Sequence, residues 1–542
     1  MLSILAILSC SKETATVSTS DTSISDATYI EDTLLLRRIS LDIRGKLPSY
    51  EEYIEVQESD TIDWPSIITE YLDSPDFEEH LVIRYGDMWH TRIDGFEILP
   101  EDFGLDSLYY WYPLSRSVGE EPLRLLAYIG SHDLPWTEIV TADYTMGNAL
   151  LADIFPILPD NDSFQADRDW NPYHYTDGRP AVGVLATNGL WWRYPTDSFN
   201  MNRTRAATIS KLLLCDDYLA RPVRFSAGSS ILEDTNLALQ QDPACLTCHS
   251  SLDPLAASMF GFWWIERYNP LEAVYYHPER EMMGEEMMNI APAWFGQPVQ
   301  SFAEVGQLIA QDIRFQRCTV EQVQEMLLQR QWQIEDYNNS VRYQHLLKEN
   351  NFQIKELWKA IILDTEYRLA TENSLFPYLQ TDRMLSPYQI AHSLQTLTGY
   401  EWIANDQDLM DIDYRSMAGG IDGYQTFSKQ LFPNLSSVLV RQRIAQAHAA
   451  YVVENSFATT TGILRMVTES TSSNDVEFTE QLQYLRLLLH GIVADDDWLQ
   501  DTTALWEISF ARAYQEHPED ASKFAWESTV SAMLQDIDFV RY

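Results

Sequence analysis

Basic residues are scarce in this 542-residue chain, where 37 Lys and Arg face 81 Asp and Glu, a formal charge of −44. Nucleic acid and anionic lipid surfaces are poor partners for such a chain, because phosphate contacts are made by Lys and Arg. Long apolar runs are also lacking, so no segment supplies the roughly 20 residues that a bilayer-spanning helix needs. Membrane association then falls to a lipid anchor. Two hydrolase signatures are missing: there is no Gly-x-Ser-x-Gly elbow and no His-Glu-x-x-His zinc helix. Acidic pairs are too common to mark a catalytic dyad. Cysteine occurs only at Cys10, Cys215, Cys245, Cys248 and Cys318. Cys215 and Cys318 each stand alone, which leaves no second pair to complete a zinc site with Cys245 and Cys248.

What is present describes a well-packed protein. At 45% hydrophobic and 12% aromatic the chain can bury large cores, unlike a disordered chain. Its length predicts two to four domains. The acidic excess suits a solvated surface in a salty medium, where screening weakens self-repulsion. The alternative is a docking face for a basic partner.

Hydrophobic periodicity is helical almost throughout, and strand signals are sparse. Leu34 to Pro48 reads as an amphipathic helix closed by Gly45 and Pro48, and Ser49 caps the next, with Glu51 and Glu52 in its first turn. A helix is predicted over Leu108–Gly130, punctuated by Pro113 and Pro122, and another over Leu134–Thr145. Asn161–Pro180, rich in Asp, Asn and Pro, reads as a long loop. Arg203–Leu214 is a clean amphipathic helix. Leu439–Val453, Phe478–Val493 and Phe524–Leu534 are among the periodic segments of the C-terminal third. Three segments share one plan, a helix ending in a polar turn with an acid before an aromatic: Tyr71–Phe77, Ile362–Tyr367 and Met533–Phe539. The fold class is mainly α.

One motif carries chemistry. Cys245-Leu246-Thr247-Cys248-His249 places two thiols three positions apart with a histidine directly after, the c-type haem attachment signature. Each sulfur adds to one of two neighbouring porphyrin vinyls, and the imidazole becomes the proximal iron ligand. A structural disulfide between Cys245 and Cys248 is the bland alternative. Downstream lie Met282, Met283, Met287 and Met288, before a Pro292-Ala293-Trp294-Phe295-Gly296 turn. Met288, then Met287, are the distal-ligand candidates, with Met259 and His277 behind them. As gap-filling core residues these methionines need no iron. Trp263, Trp264 and Arg267 would pack on the porphyrin and pair a propionate, or serve as plain core residues.

The first residues, MLSILAILSC, form a short apolar run ending in Ser9-Cys10, followed by a polar stretch. This looks like a lipoprotein signal in which Cys10 is acylated, with a flexible tether behind it. A basic n-region is missing. Outside the cytoplasm Cys215 and Cys318 could pair, or each could be a buried thiol.

Together these pieces resemble the cytochrome c-like multidomain proteins first grouped in planctomycetes. The resemblance rests on Leu36–Pro48, on Val140–Thr145 with Asn148, and on Gly183–Leu185, Arg203-Thr204 and Leu213–Cys215 leading to Cys245, Cys248, His249, Asp253 and Pro254. Arg314–Val320 is similar to the short domain that follows in that family. Family members often carry Gly and a Glu-Asn-Phe-Asp segment after the Asp-Pro; here Ala256-Ala257 and Trp264-Ile265-Glu266 stand instead. The resemblance implies an exported haem-binding protein and supplies no reaction.

The expected organisation is a signal and tether over 1–27, a helical domain over 28–170, a cytochrome c-like domain over 171–370 and a helical domain over 371–542. The expected function is single-electron transfer at the cell envelope by a lipid-anchored protein carrying covalent haem c, in the periplasm or on the outer surface. Its redox partner protein is left open. An open sixth position would instead suit a haem-dependent oxidoreductase. The competing expectation is a surface scaffold or glycan-binding lipoprotein in which Cys245 and Cys248 are disulfide-bonded.

Overall fold

The computed structural model describes residues 28–223, 239, 241–265, 269–371, 379, 383–404, 407–412, 414–459 and 462–542. The expected signal and tether with Cys10, and Arg267, lie outside the described residues. The chain is mainly α, with 61% of the described residues helical and 5% in strands.

Local sequence sets the first helices. α1 (Asp32–Ile43) opens on an acid in its first turn, which suits the positive end of the helix dipole. α2 (Tyr50–Glu58) is closed by a reciprocal Ser49–Glu52 capping box. α3 (Trp64–Leu72) is capped by Asp63, and α4 (Pro75–Trp89) begins at a proline whose absent N–H costs nothing there. α5 (Ser107–Ser131) runs 25 residues straight through Pro113 and Pro122. Tertiary packing holds it together: Gly189 lies so close that a side-chain carbon there would meet the Val118 carbonyl at 1.9 Å. That is the carbonyl whose helical partner Pro122 lacks. The Gly189 N–H donates to Glu121 on the same turn, at 3.1 Å.

The expected helix over Leu134–Thr145 is a 3-10 turn, Trp136–Val140, followed by a strand, β1 (Thr145–Gly147). The expected loop over Asn161–Pro180 also holds regular structure. β3 (Asn171–Tyr175) sits between β1 and β2 (Ile157–Pro159), antiparallel to both. Such short strands show no two-residue period, since their pairing is supplied by partners far along the chain.

α6 (Ala149–Ile154), α7 (Asn188–Arg193) and α8 (Arg203–Leu214) lead to α9 (Pro243–Ala257). The main apolar core draws on Leu35, Trp89, Leu126, Ile209, Leu255 and Trp358, and so continues across position 170 without a break. A second core gathers residues from Leu385 to Val540 around Leu41 and Leu47 of the N-terminal segment. The three repeated helix ends all dock their aromatics: Phe77, Tyr367 and Phe539 are buried.

The second core is fastened to α1 by buried polar groups. The Asp42 carboxylate accepts from Tyr367 (2.8 Å), Tyr542 (2.8 Å) and Arg383 (2.6 Å). Arg37 donates to the carbonyls of Leu489 and Phe539. A buried charge is tolerated only when so partnered. These contacts fix where the C-terminal helices sit.

Candidate functional site

α9 carries the Cys-x-x-Cys-His motif in its first two turns. Asp242 caps it, accepting from the Ala244 N–H at 2.8 Å, and Pro243 follows at the first helical position. Cys245, Cys248 and His249 are related as i, i+3 and i+4, which puts all three side chains on one face of the helix. Both cysteines are half-buried free thiols. The disulfide of the scaffold reading is therefore absent: the pair shares a helix face without closing a bond. Cys248 Sγ faces the Tyr218 carbonyl at 3.8 Å, and the Tyr218 hydroxyl bonds Ser251 at 2.8 Å on the next turn.

His249 is oriented from below. Its Nδ1 pairs with Asp253 Oδ1 at 2.8 Å, one turn further along α9. Asp253 is 1% exposed, and Arg203 of α8 grips both its oxygens, Nε to Oδ1 at 2.8 Å and Nη2 to Oδ2 at 3.1 Å. Burial alone would raise the Asp253 pKa, but hydrogen bonds from His249 and Arg203 prevail and hold it below the usual range. The ionised carboxylate fixes the Nδ1–H tautomer, so Nε2 is the nitrogen left for a ligand. A ligating histidine is held by this kind of outer partner. Arg203 and Asp253 enter the sequence analysis only as residues of the family resemblance, with no chemical role. The signal was the four-residue spacing of His249 and Asp253, one helical turn.

Cys215 and Cys318 form a disulfide spanning 103 residues. It ties the end of α8, the helix bearing Arg203, to the helix Ile313–Leu328.

The distal candidates are dispersed. Met288 is buried in the main core, Met259 is fully buried and Met287 is exposed. Met287 and Met288 lie on a short helix, Met283–Met288, that packs at the far end of α9, where a side-chain carbon on Gly284 would meet the Ala257 carbonyl at 2.1 Å. Ala257 lies eight residues beyond His249, about 12 Å along the axis. His277 Nε2 bonds the Glu272 carbonyl at 3.1 Å. Trp263 and Trp264 are buried in two different cores. The geometry singles out no sixth ligand.

The donor set fits covalent haem: two free thiols and an imidazole on one face, with Nδ1 already engaged. Among the described residues no group of three or more His, Cys, Asp or Glu side chains is arranged to hold a bare metal ion. No described helix is long and apolar enough to cross a membrane. No known family, no curated protein and no solved structure matches this chain.

Proposed function

We propose that this chain is an exported c-type haem protein that passes single electrons at the cell envelope, of the kind the planctomycete resemblance implies. The observation that carries the reading is the Arg203–Asp253–His249 chain beneath two free thiols. Cys245 and Cys248 would hold the porphyrin, each thiol adding S–H across one vinyl with no leaving group, and His249 Nε2 would ligate the iron. Haem, when bound, supplies a one-electron iron couple. The rest is the work of the protein: Asp253 accepts from Nδ1–H and makes the imidazole a stronger donor, while Arg203 keeps Asp253 ionised.

Export is supported by the Cys215–Cys318 disulfide, since such bonds persist in oxidising compartments, and by the Ser9-Cys10 lipoprotein-like start. The acidic charge supports a basic redox partner, whose encounter it would steer.

The test is a pyridine haemochrome spectrum of protein produced with a cytochrome c maturation system. The expected result is a haem c α-band that vanishes in the Cys245→Ala/Cys248→Ala variant. Colourless wild-type protein from a competent host would overturn the reading.

A further inference from the structure

A large hollow lies far from α9 in sequence, between α5 and the segment around Tyr388 and Asp411. It measures 690 Å³, within the range of ligand clefts. A second hollow of 390 Å³ shares Pro113, Arg116 and Asp408 with it, so the two form one groove. In a chain this poor in cations, three arginines collect here.

Their charges are already answered. Glu120 takes Arg92 Nε at 3.0 Å and Arg124 Nη2 at 2.7 Å, while Asp411 takes Arg92 Nη2 at 3.2 Å and a contact from Arg116. Burial would raise both carboxyls, but the arginines push each down to about 2. An anion entering the groove would have to break these pairs. An uncharged ligand would not. Among the described residues Arg116 Nη1 has no hydrogen-bond partner, and the Arg116 side chain keeps 23% of its surface exposed.

Aromatic rings complete the walls. Tyr110, Trp170 and Tyr388 line the larger hollow, and the guanidinium of Arg124 lies 5.3 Å from the Trp170 ring centre. Tyr109, at the adjoining hollow, is 69% exposed. An ion network that merely ties Asp411 to α5 needs neither an open groove nor exposed tyrosines. Flat apolar faces beside fixed, planar, charge-balanced donors and acceptors match the two surfaces of a sugar ring, its C–H face and its hydroxyl edge.

We propose that this groove binds an uncharged oligosaccharide, with Tyr110 and Trp170 stacking on sugar faces and Arg116, Glu120 and Asp411 engaging hydroxyls. The site is independent of the haem reading and stands or falls without it. The test uses the full chain and a panel of neutral hexasaccharides of glucose, xylose, mannose and N-acetylglucosamine, with oligogalacturonate as the anionic control. Binding is followed by calorimetry and tryptophan fluorescence. One neutral sugar is expected to bind saturably and to perturb the fluorescence. Tyr110→Ala, at a partly exposed ring, is expected to weaken it about tenfold, roughly the loss of one stacking contact, with an unchanged melting temperature. Arg116→Lys gives a second variant that keeps the charge and removes the fork. The proposal is overturned if no neutral sugar binds, if only the anionic control binds, or if neither variant alters affinity.

Discussion

At His249 a single hydrogen bond decides what the imidazole can do. With Asp253 accepting from Nδ1–H, the imidazole gains electron density at Nε2, and in the proposed haem protein this stronger donor would favour the oxidised iron. Asp253→Asn keeps the shape and removes the charge. Hydrogen bonds to charged groups are worth about 1.5–3 kcal/mol, and a one-electron couple moves about 59 mV per tenfold in its equilibrium constant. Only part of that bond energy differs between the two iron states, so the expected rise in midpoint potential is on the order of 60 mV. Potentiometric titration of the Soret band measures it. A potential that does not change would mean that Asp253 only shapes the helix. Arg203→Gln removes the cation that neutralises Asp253 and leaves the carboxylate a stronger acceptor, so it should move the potential the other way, downward, by a smaller step.

The elements show why some of this was legible and some was not. α8 could be placed from the period of Ile209, Leu212 and Leu213, whereas a helix around the thiols was not expected, although Asp242-Pro243 opens it. Ser49 announced α2 by its own side chain. Asp42 looked like one more acid on an amphipathic helix, yet it is bound to Arg383 across 341 positions, and no local pattern encodes that. β3 was hidden for the same reason, since its two partners supply its regularity. The helix over Leu108–Gly130 was legible despite Pro113 and Pro122, but the residues that bridge the gap, such as Gly189, belong to another element.

The disulfide also acts at the scale of elements. It joins α8 to the helix Ile313–Leu328 across 103 residues, a loop for which chain entropy predicts about 4.7 kcal/mol. Cys215→Ala/Cys318→Ala should therefore lower stability by about 4 kcal/mol, measured by guanidinium unfolding followed through far-UV circular dichroism. The loosened end of α8 carries Arg203 with it, so the double variant should also show a displaced potential. An unchanged midpoint of unfolding would place the strain of the bond on a par with its entropic gain.

The whole molecule responds to acid through groups scattered over both large cores. His80, His448 and His490 are buried, and burial, aided by Arg84 beside His80 and Arg486 beside His490, pushes their pKa values down to about 3, 4 and 3. His490 illustrates the constraint. Its Nδ1 accepts from Arg486 at 2.9 Å and its Nε2 donates to the Met533 carbonyl at 3.0 Å, an arrangement that only the neutral ring can make. In the unfolded chain each ring takes up a proton near pH 6.5. Between pH 6.5 and about pH 4 the unfolded state thus binds more protons than the fold, and stability falls as pH drops. At pH 5 each ring contributes a loss of about 2 kcal/mol, about 6 kcal/mol in all. The depressed carboxyls Glu120 and Asp411 add their loss only below the range where unfolded carboxylates protonate, near pH 4. Destabilisation should therefore begin below pH 6.5, well before the carboxylates enter, and show as a falling urea midpoint between pH 7 and pH 5. His490→Gln should flatten that slope in part only, by about a quarter or less, since His80, His90 and His448 are depressed to similar values and His392 is lowered too. A midpoint that holds steady to pH 5 would mean that these rings are hydrated in the fold and free to take up protons there.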